Sequence, residues 1–509
     1  MTTSGLRAVR VAVLFCVCSS PASTQVISIR TVPIAQGDQF QIFPSHNLGM
    51  GSVSIALADS LLDPFVNPAK GARLGAARFV SAPTVYSLSE RAGGGRSLPL
   101  AALARAGSWY GGLALALQQV EPSRAPGFDG GRFEAVPLPG GVAPPGIPAP
   151  DTRARGNEYL FAMVGKAVPS ARLSLGASVL WSGLRALDGV DLLYAGSRRV
   201  EQRGHSVDAR LGLLKEWANG RSLEGVLLHN RFAATHDVTF VELFWDPVLQ
   251  RTAERARLEQ NADRTNTWGL HLEYELPIGT SGWRVGWLGT ANRLSHPKIP
   301  NYELANVPVL PRDPGRSSAY NLGIGLSKRR GPATFGVDAI FEPIRSYTWA
   351  DAATPVTTSA GDTIAAGGKT VENRFRFANA LVRMGVSRDV ELQGLGKAVG
   401  LQLGLVVRSV RYRLAQQDNV QLTQRALETG WFEWTPTWGL SLRFPELEIR
   451  YRGRVTHGAG RPAAQSFPVI WGRDVAFAGG SILAAPSGPL NLTDVKTATH
   501  QISLSLPLP

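Results

Sequence analysis

The feature that most constrains this chain is a strict two-residue alternation of apolar and polar side chains that recurs along its length. In Trp268-Gly-Leu-His-Leu-Glu-Tyr-Glu-Leu276, the residues Trp268, Leu270, Leu272, Tyr274 and Leu276 share one parity while His271, Glu273 and Glu275 hold the other. Residues 432–444 repeat the pattern, with an entirely apolar even side against Glu433, Thr435, Thr437, Ser441 and Arg443. Tyr320, Leu322, Ile324 and Leu326 continue it, as do Ile502, Leu504, Leu506 and Leu508 near the C-terminus. Strand side chains point alternately to opposite faces, whereas a helix repeats every 3.6 residues or so, so this pattern predicts strands with one apolar and one wet face.

Expected strands cover 75–89, 97–106, 109–120, 157–168, 172–187, 205–217, 222–239, 265–277, 283–295, 319–328, 333–347, 372–386, 398–415, 430–443, 446–456 and 499–508. That is sixteen, with fourteen as the alternative because the first two are the weakest. The links between them alternate in length. Short ones fall near 106–108, 169–171, Asn219-Gly220, 278–282, 329–332 and 445–446, and Asn-Gly suits a hairpin because both residues tolerate positive φ. Long links fall at about 121–156, 188–204, 240–264, 297–317, 348–371, 416–429 and 457–497, the first holding eight prolines. An even strand count with short links at one rim and long links at the other predicts an all-β, transmembrane antiparallel β-barrel of 14–16 strands, sixteen preferred.

The soluble alternatives are weaker. A propeller or solenoid would repeat a motif every 20–50 residues or so, and no such repeat is present. A large secreted β-sandwich would not need aromatics near the ends of its apolar faces, where Trp268, Tyr274, Phe432, Phe444, Trp283 and Trp287 stand. Beyond residue 22 no run approaches the roughly 18 apolar residues of a spanning helix.

Residues 1–22 join Arg7 and Arg10 to an apolar run and a small-residue exit, Ser20-Pro21-Ala22, which reads as a secretory leader. Cys16 and Cys18 lie inside it, so no disulfide is expected after cleavage. The chain carries +14 overall, and without the leader 51 basic residues still face 39 acidic ones. That excess suits an anionic membrane surface, an acidic solute or nucleic acid. The expected organisation is a leader at 1–22, a hatch at 23–73 and a barrel at 74–509, with long extracellular loops at about 121–156, 240–264 and 457–497.

The segment Asn47-Leu-Gly-Met-Gly-Ser-Val-Ser-Ile-Ala-Leu-Ala-Asp-Ser-Leu-Leu-Asp-Pro-Phe-Val-Asn-Pro-Ala-Lys70 precedes the first clear strand. It resembles the N-terminal region of the outer-membrane long-chain fatty acid transporter superfamily, which includes the barrel subunit of the type IX secretion system. The residues that carry the resemblance are Gly49, Gly51, Asp59, Asp63, Asn67, Pro68 and Ala69. The resemblance implies a hatch packed in the barrel lumen. The chain departs from that family in its end, Leu506-Pro507-Leu508-Pro509, which lacks a terminal aromatic, and in its basic charge. Asp59, Asp63 and Asn67 are four apart, so a helix over 52–63 stopped by Pro64 and Pro68 would set both aspartates on one face to meet wall arginines.

No nucleophile elbow, zinc, P-loop or calcium-loop pattern is present, and the eight histidines are scattered, so no enzyme, metal or cofactor is expected. Basic residues are spread over strand positions without the runs that nucleic-acid binding uses. Arg450, Arg452 and Arg454 share one strand face, with Arg443 on the polar face of the strand before. Arginine at the lipid midplane costs about 2–4 kcal/mol, so these four are expected to line the lumen, either attracting anionic groups of solutes or pairing with carboxylates. The expected function is passive uptake of hydrophobic or amphipathic small molecules across the outer membrane. The alternatives are a non-catalytic secretion or surface-assembly barrel with a protein partner, and a general porin. Candidate gating residues are Asp59, Asp63, Asn67, Pro68 and Ala69.

Overall fold

The computed structural model describes residues 39–122, 154–188, 190, 197–246, 248–296, 302–304, 307–311, 314–352, 354–392, 397–462 and 492–508. The expected leader lies outside these residues, as do most of 121–156 and 457–497. Sixteen antiparallel strands close into one barrel. They are β1 (Arg78–Ser81 and Thr84–Leu88, one strand interrupted at Ala82-Pro83), β2 (Gly94–Ala106), β3 (Trp109–Glu121), β4 (Arg155–Val168), β5 (Leu173–Leu184) and β6 (Ser197–Glu216). Then follow β7 (Ser222–Asp246), β8 (Arg251–Ile278), β9 (Trp283–His296), β10 (Gly315–Arg330) and β11 (Ala333–Asp351). The last five are β12 (Lys369–Leu392), β13 (Lys397–Asp418), β14 (Thr423–Arg443), β15 (Glu448–Pro462) and β16 (Leu492–Pro507). Each strand pairs with its sequence neighbours, and β1 closes the ring by pairing with β2 on one side and β16 on the other.

The alternation is resolved as expected, with the apolar parity outside. Leu113, Leu211, Leu322 and Leu403 are 60–64% exposed, a waste of apolar surface in water but not against lipid. Trp109, Trp217 and Trp283 mark the short-turn rim, where Lys166, Lys215 and Lys328 sit 4.8–5.9 Å from their ring centres. Across the belt, Trp268 stands opposite Arg293, ten residues along β9 from Trp283. Ten residues of a tilted strand span about 25 Å, the height of the apolar band of a membrane-spanning barrel.

Three expectations about the elements fail. The long link expected at 416–429 shrinks to 419–422, because β13 and β14 stay paired as far as Asp418 opposite Thr423. The polar stretch at 240–264 is no loop: β7 and β8 run as one paired ribbon around a four-residue link, 247–250. No helix forms over 52–63 either; the first α-helical turn is Asp63–Val66, followed by a 3-10 segment at Pro68–Arg73. Pro64 and Pro68 open these two turns, where a missing N–H costs nothing, and do not end a helix.

Residues 39–74 lie inside the ring near the short-turn rim, and their backbone rests on glycines of the wall. A Cβ on Gly404 or Gly385 would fall on the backbone of Met50 and Gly51, and one on Gly325 or Gly286 would fall on Ile55. On the far side, Gly176 and Gly212 meet Pro68 and Asn67 in the same way. These glycines face one another across neighbouring strands, Gly385 opposite Gly404 and Gly176 opposite Gly212, so the wall has a smooth track where the chain is laid. The track also explains the missing helix. Gly51 and Ser52 take positive φ, and the amides a helix would use are bonded to the wall: Gly51 N–H to Thr437 Oγ1 at 2.9 Å, Ser54 N–H to Asp338 Oδ2 at 2.8 Å.

Candidate functional site

Above the track on the β2 to β7 side the lumen is apolar. Phe43 stacks on Phe65 with ring centres 4.2 Å apart, and both pack on Phe161 of β4 at 5.4 and 5.2 Å. Met163, Leu180 and Leu184 extend this cluster along the wall. A second apolar cluster, with Phe375, Phe377, Tyr412 and Leu414, faces inward from β12 and β13. The wall between and below them is polar, with Thr290, Asn292, Asn321, Glu342 and Asn379 buried. The lumen is thus amphipathic in cross-section.

The plug is locked to the wall by an ionic cluster. Lys70 Nζ lies 2.8 Å from Glu224 Oε1 of β7 and 3.4 Å from Asp63 Oδ1. Glu224, Glu273 and Glu275 converge so that their carboxylates lie within 4.8 Å of one another, with the Lys70 ammonium against Glu224. Burial disfavours that charge, but Asp63, Glu224 and Glu273 outweigh it and raise the lysine above its ordinary pKa. Burial pushes the Asp63 carboxyl up to about 6, against the pull of Lys70. Arg284 closes the outer edge of the cluster at 2.8 Å from Glu275.

Asn67 caps the 3-10 segment, its Oδ1 accepting from Ala69 N–H at 3.1 Å, while its Nδ2 donates to Glu224 Oε2 at 2.9 Å. Ala69 is fully buried, and its carbonyl accepts from Tyr110 OH at 3.3 Å. Asp59 works within the plug. Its carboxylate accepts from Ser45 Oγ at 2.7 Å, from the amides of His46 and Asn47, and from those of Leu61 and Leu62. Burial pushes this carboxyl up, but His46, the Ser45 hydroxyl and those amides hold it below the usual carboxylate range. Neither Asp59 nor Asp63 forms an ion pair with a wall arginine among the described residues, so the expected contact between hatch carboxylates and arginines is not made.

The four arginines do point inward, and they divide into two pairs. Arg443 binds Asp389 at 2.6 Å and Glu448 at 3.2 Å, and Arg450 binds Glu448 at 2.7 Å. Arg452 and Arg454 reach the plug instead, donating to the His46 carbonyl at 3.3 Å and to Gln41 Oε1 at 2.7 Å. On the same side of the ring Arg383 of β12 donates to the Ser52 carbonyl at 3.2 Å, and on the opposite wall Arg210 of β6 donates to that of Val66 at 3.0 Å. Sequence reasoning placed Glu273 and Glu275 on the wet face but did not join them to Lys70, Glu224, Asp338 or Arg383. One signal was available: Lys70 directly follows Asn-Pro-Ala in a chain with 45 arginines and only 8 lysines.

No protein-family profile matches the chain, and no curated protein matches it in sequence. Among solved structures it is similar to a Pseudomonas aeruginosa FadL homologue, at 11% identity and a TM-score of 0.44, over 93% of this chain and 100% of the other. It is also similar to the Pseudomonas putida toluene transporter TodX, at 12% identity and a TM-score of 0.38, over 95% of this chain and 100% of the other. The third is the Ralstonia pickettii toluene transporter TbuX, at 9% identity and a TM-score of 0.37, over 91% of this chain and 97% of the other.

Proposed function

We propose that the chain is an outer-membrane barrel that passes hydrophobic or amphipathic small molecules passively through a lumen held shut by residues 39–74. The observation that carries this reading is the apolar chamber side of the lumen, where Phe43 and Phe65 of the plug pack on Phe161 of the barrel, beside a polar wall. An apolar solute finds a dry surface there, and a solute with a polar head finds hydrogen-bonding groups across the lumen. A general porin needs an open aqueous passage, and this lumen is filled on the chamber side. Passage then requires the plug to shift, which the small wall contacts and a finite number of hydrogen bonds permit.

Deletion of residues 39–66 tests the reading. The expected result is a barrel that keeps heat-modifiable gel mobility, conducts small ions several-fold better than the wild type in a planar bilayer, and loses its preference for an apolar fluorescent probe over a polar one. An assembled deletion mutant with wild-type conductance would sink the plug, and one with an unchanged probe preference would sink the chamber as the selective element.

A further inference from the structure

On the outside of the barrel, just past the apolar belt on the long-link side, arginines stand directly opposite one another on adjacent strands. Arg345 of β11 faces Arg376 of β12, which faces Arg413 of β13. All three project outward and are exposed. Like charges at directly opposed positions destabilise a sheet, so such a row needs an anion to sit comfortably. The nearest protein anion in the row is Glu428, which pairs with Arg413 at 3.2 Å and leaves Arg345 and Arg376 without an ion pair among the described residues.

Next to the row, Arg316 and Arg374 approach the Tyr347 ring from the two neighbouring strands, at 5.8 and 5.9 Å. A groove of about 440 Å³ continues from Arg316 to Arg293, between Trp268 and Tyr320. Below the arginines the same outward face carries Phe341, Met384, Val386, Leu401 and Leu403, all exposed. Directly behind them, inside the barrel, lie Phe375, Phe377 and Tyr412. Polarity is therefore inverted at this height, cationic outside and apolar inside. That is the height at which the hydrocarbon gives way to headgroups, about 25 Å from the aromatic rim at the other end.

We propose that Arg345, Arg376 and Arg413, with Arg316 and Arg374 around Tyr347, bind the phosphate groups of phosphorylated lipids in the leaflet that borders the long-link rim. The guanidinium fork matches a phosphate in two hydrogen bonds, the Tyr347 ring lies within cation–π range of two of the forks, and the adjoining belt takes the acyl chains. This rests on the reading of the chain as a membrane barrel.

Native mass spectrometry of the detergent-solubilised barrel tests it, with a bis-phosphorylated diglucosamine lipid, the same lipid without phosphates, and the phosphorylated sugar without acyl chains as probes. The wild type should retain the phosphorylated lipid at least about tenfold better than either of the others, an advantage that falls as salt rises. Replacing Arg345, Arg374 and Arg376 together by Gln should remove most of that advantage, about tenfold or more, while heat-modifiable mobility stays unchanged. Equal retention by the triple variant, or equal retention of the dephosphorylated lipid, would overturn the proposal. So would equal binding of the acyl-free sugar, which would make this a soluble-anion site. A wild-type chain with no heat-modifiable band would instead remove the barrel reading, and the proposal with it.

Discussion

Lys70 shows how a single residue can hold a segment of some thirty. Its ammonium is buried in the lumen and reaches carboxylates from both the plug and the wall, Asp63 and Glu224, so it ties the two together without any covalent link. A buried ion pair adds little over a well-packed apolar contact, but removing one partner leaves the other charged and unsolvated, at a cost of about 3–5 kcal/mol. Lys70→Met should therefore weaken plug docking by about that amount. The check is faster protease cleavage within 39–74 and more frequent open-channel events, with the strands intact by circular dichroism. Adding Glu224→Gln should restore part of the docking, because it removes one of the stranded charges. Protease resistance equal to the wild type in the single variant would show that Asp338, Arg383 and the glycine contacts hold the plug unaided.

At the scale of the element, the glycine track and the strands make separate demands on the wall. A valine at position 404 is a good strand residue, but its branched side chain would collide with the Met50 and Gly51 backbone. Gly404→Val should thus leave the barrel assembled and open the lumen, read as a rise in single-channel conductance. Gly289→Val is the control, since nothing lies within 4 Å of a Cβ there, and its conductance should not change. All sixteen strands were legible in the sequence because lipid on one side and a buried lumen on the other force the alternation within the belt. Past the belt the two-residue alternation of the sequence is broken, as at Glu242 and Asp246, while the backbone pairing continues, and 240–264 reads as a loop. The path of 49–62 was illegible for a different reason. Its amides are satisfied by Asp338 and Thr437, close to three hundred residues or more away, and no local pattern reports partners at that distance. The inward direction of Arg450, Arg452 and Arg454 was readable from parity, but what each one touches was not.

For the whole molecule, the two rims define an orientation. The link at Asn219-Gly220 joins β6 and β7 on the same rim as the plug, while the links within 121–156 and 457–497 leave from the opposite rim. Epitope tags in those two long links should label on intact cells, and a tag at Asn219-Gly220 should label only after the outer membrane is permeabilised. Labelling of all three on intact cells would refute the orientation. Part of the basic excess of +14 is also arranged at this scale, with Arg210, Arg383, Arg452 and Arg454 donating to the plug and Arg345, Arg376 and Arg413 set outward beyond the belt.

The split strand β1 has a consequence for how such a molecule comes together. Among the described residues its two short pieces alone link β2 and β16, and they pair residues 78–88 with residues 497–507. That seam joins positions more than four hundred residues apart in sequence, the kind of contact whose loop-closure entropy makes it late and slow. The plug leads directly into the first piece of the seam, which begins at Arg78 just past Leu74. Residues 39–74 are therefore tethered beside the last contacts to form, which makes filling of the lumen and closure of the ring neighbouring steps of biogenesis.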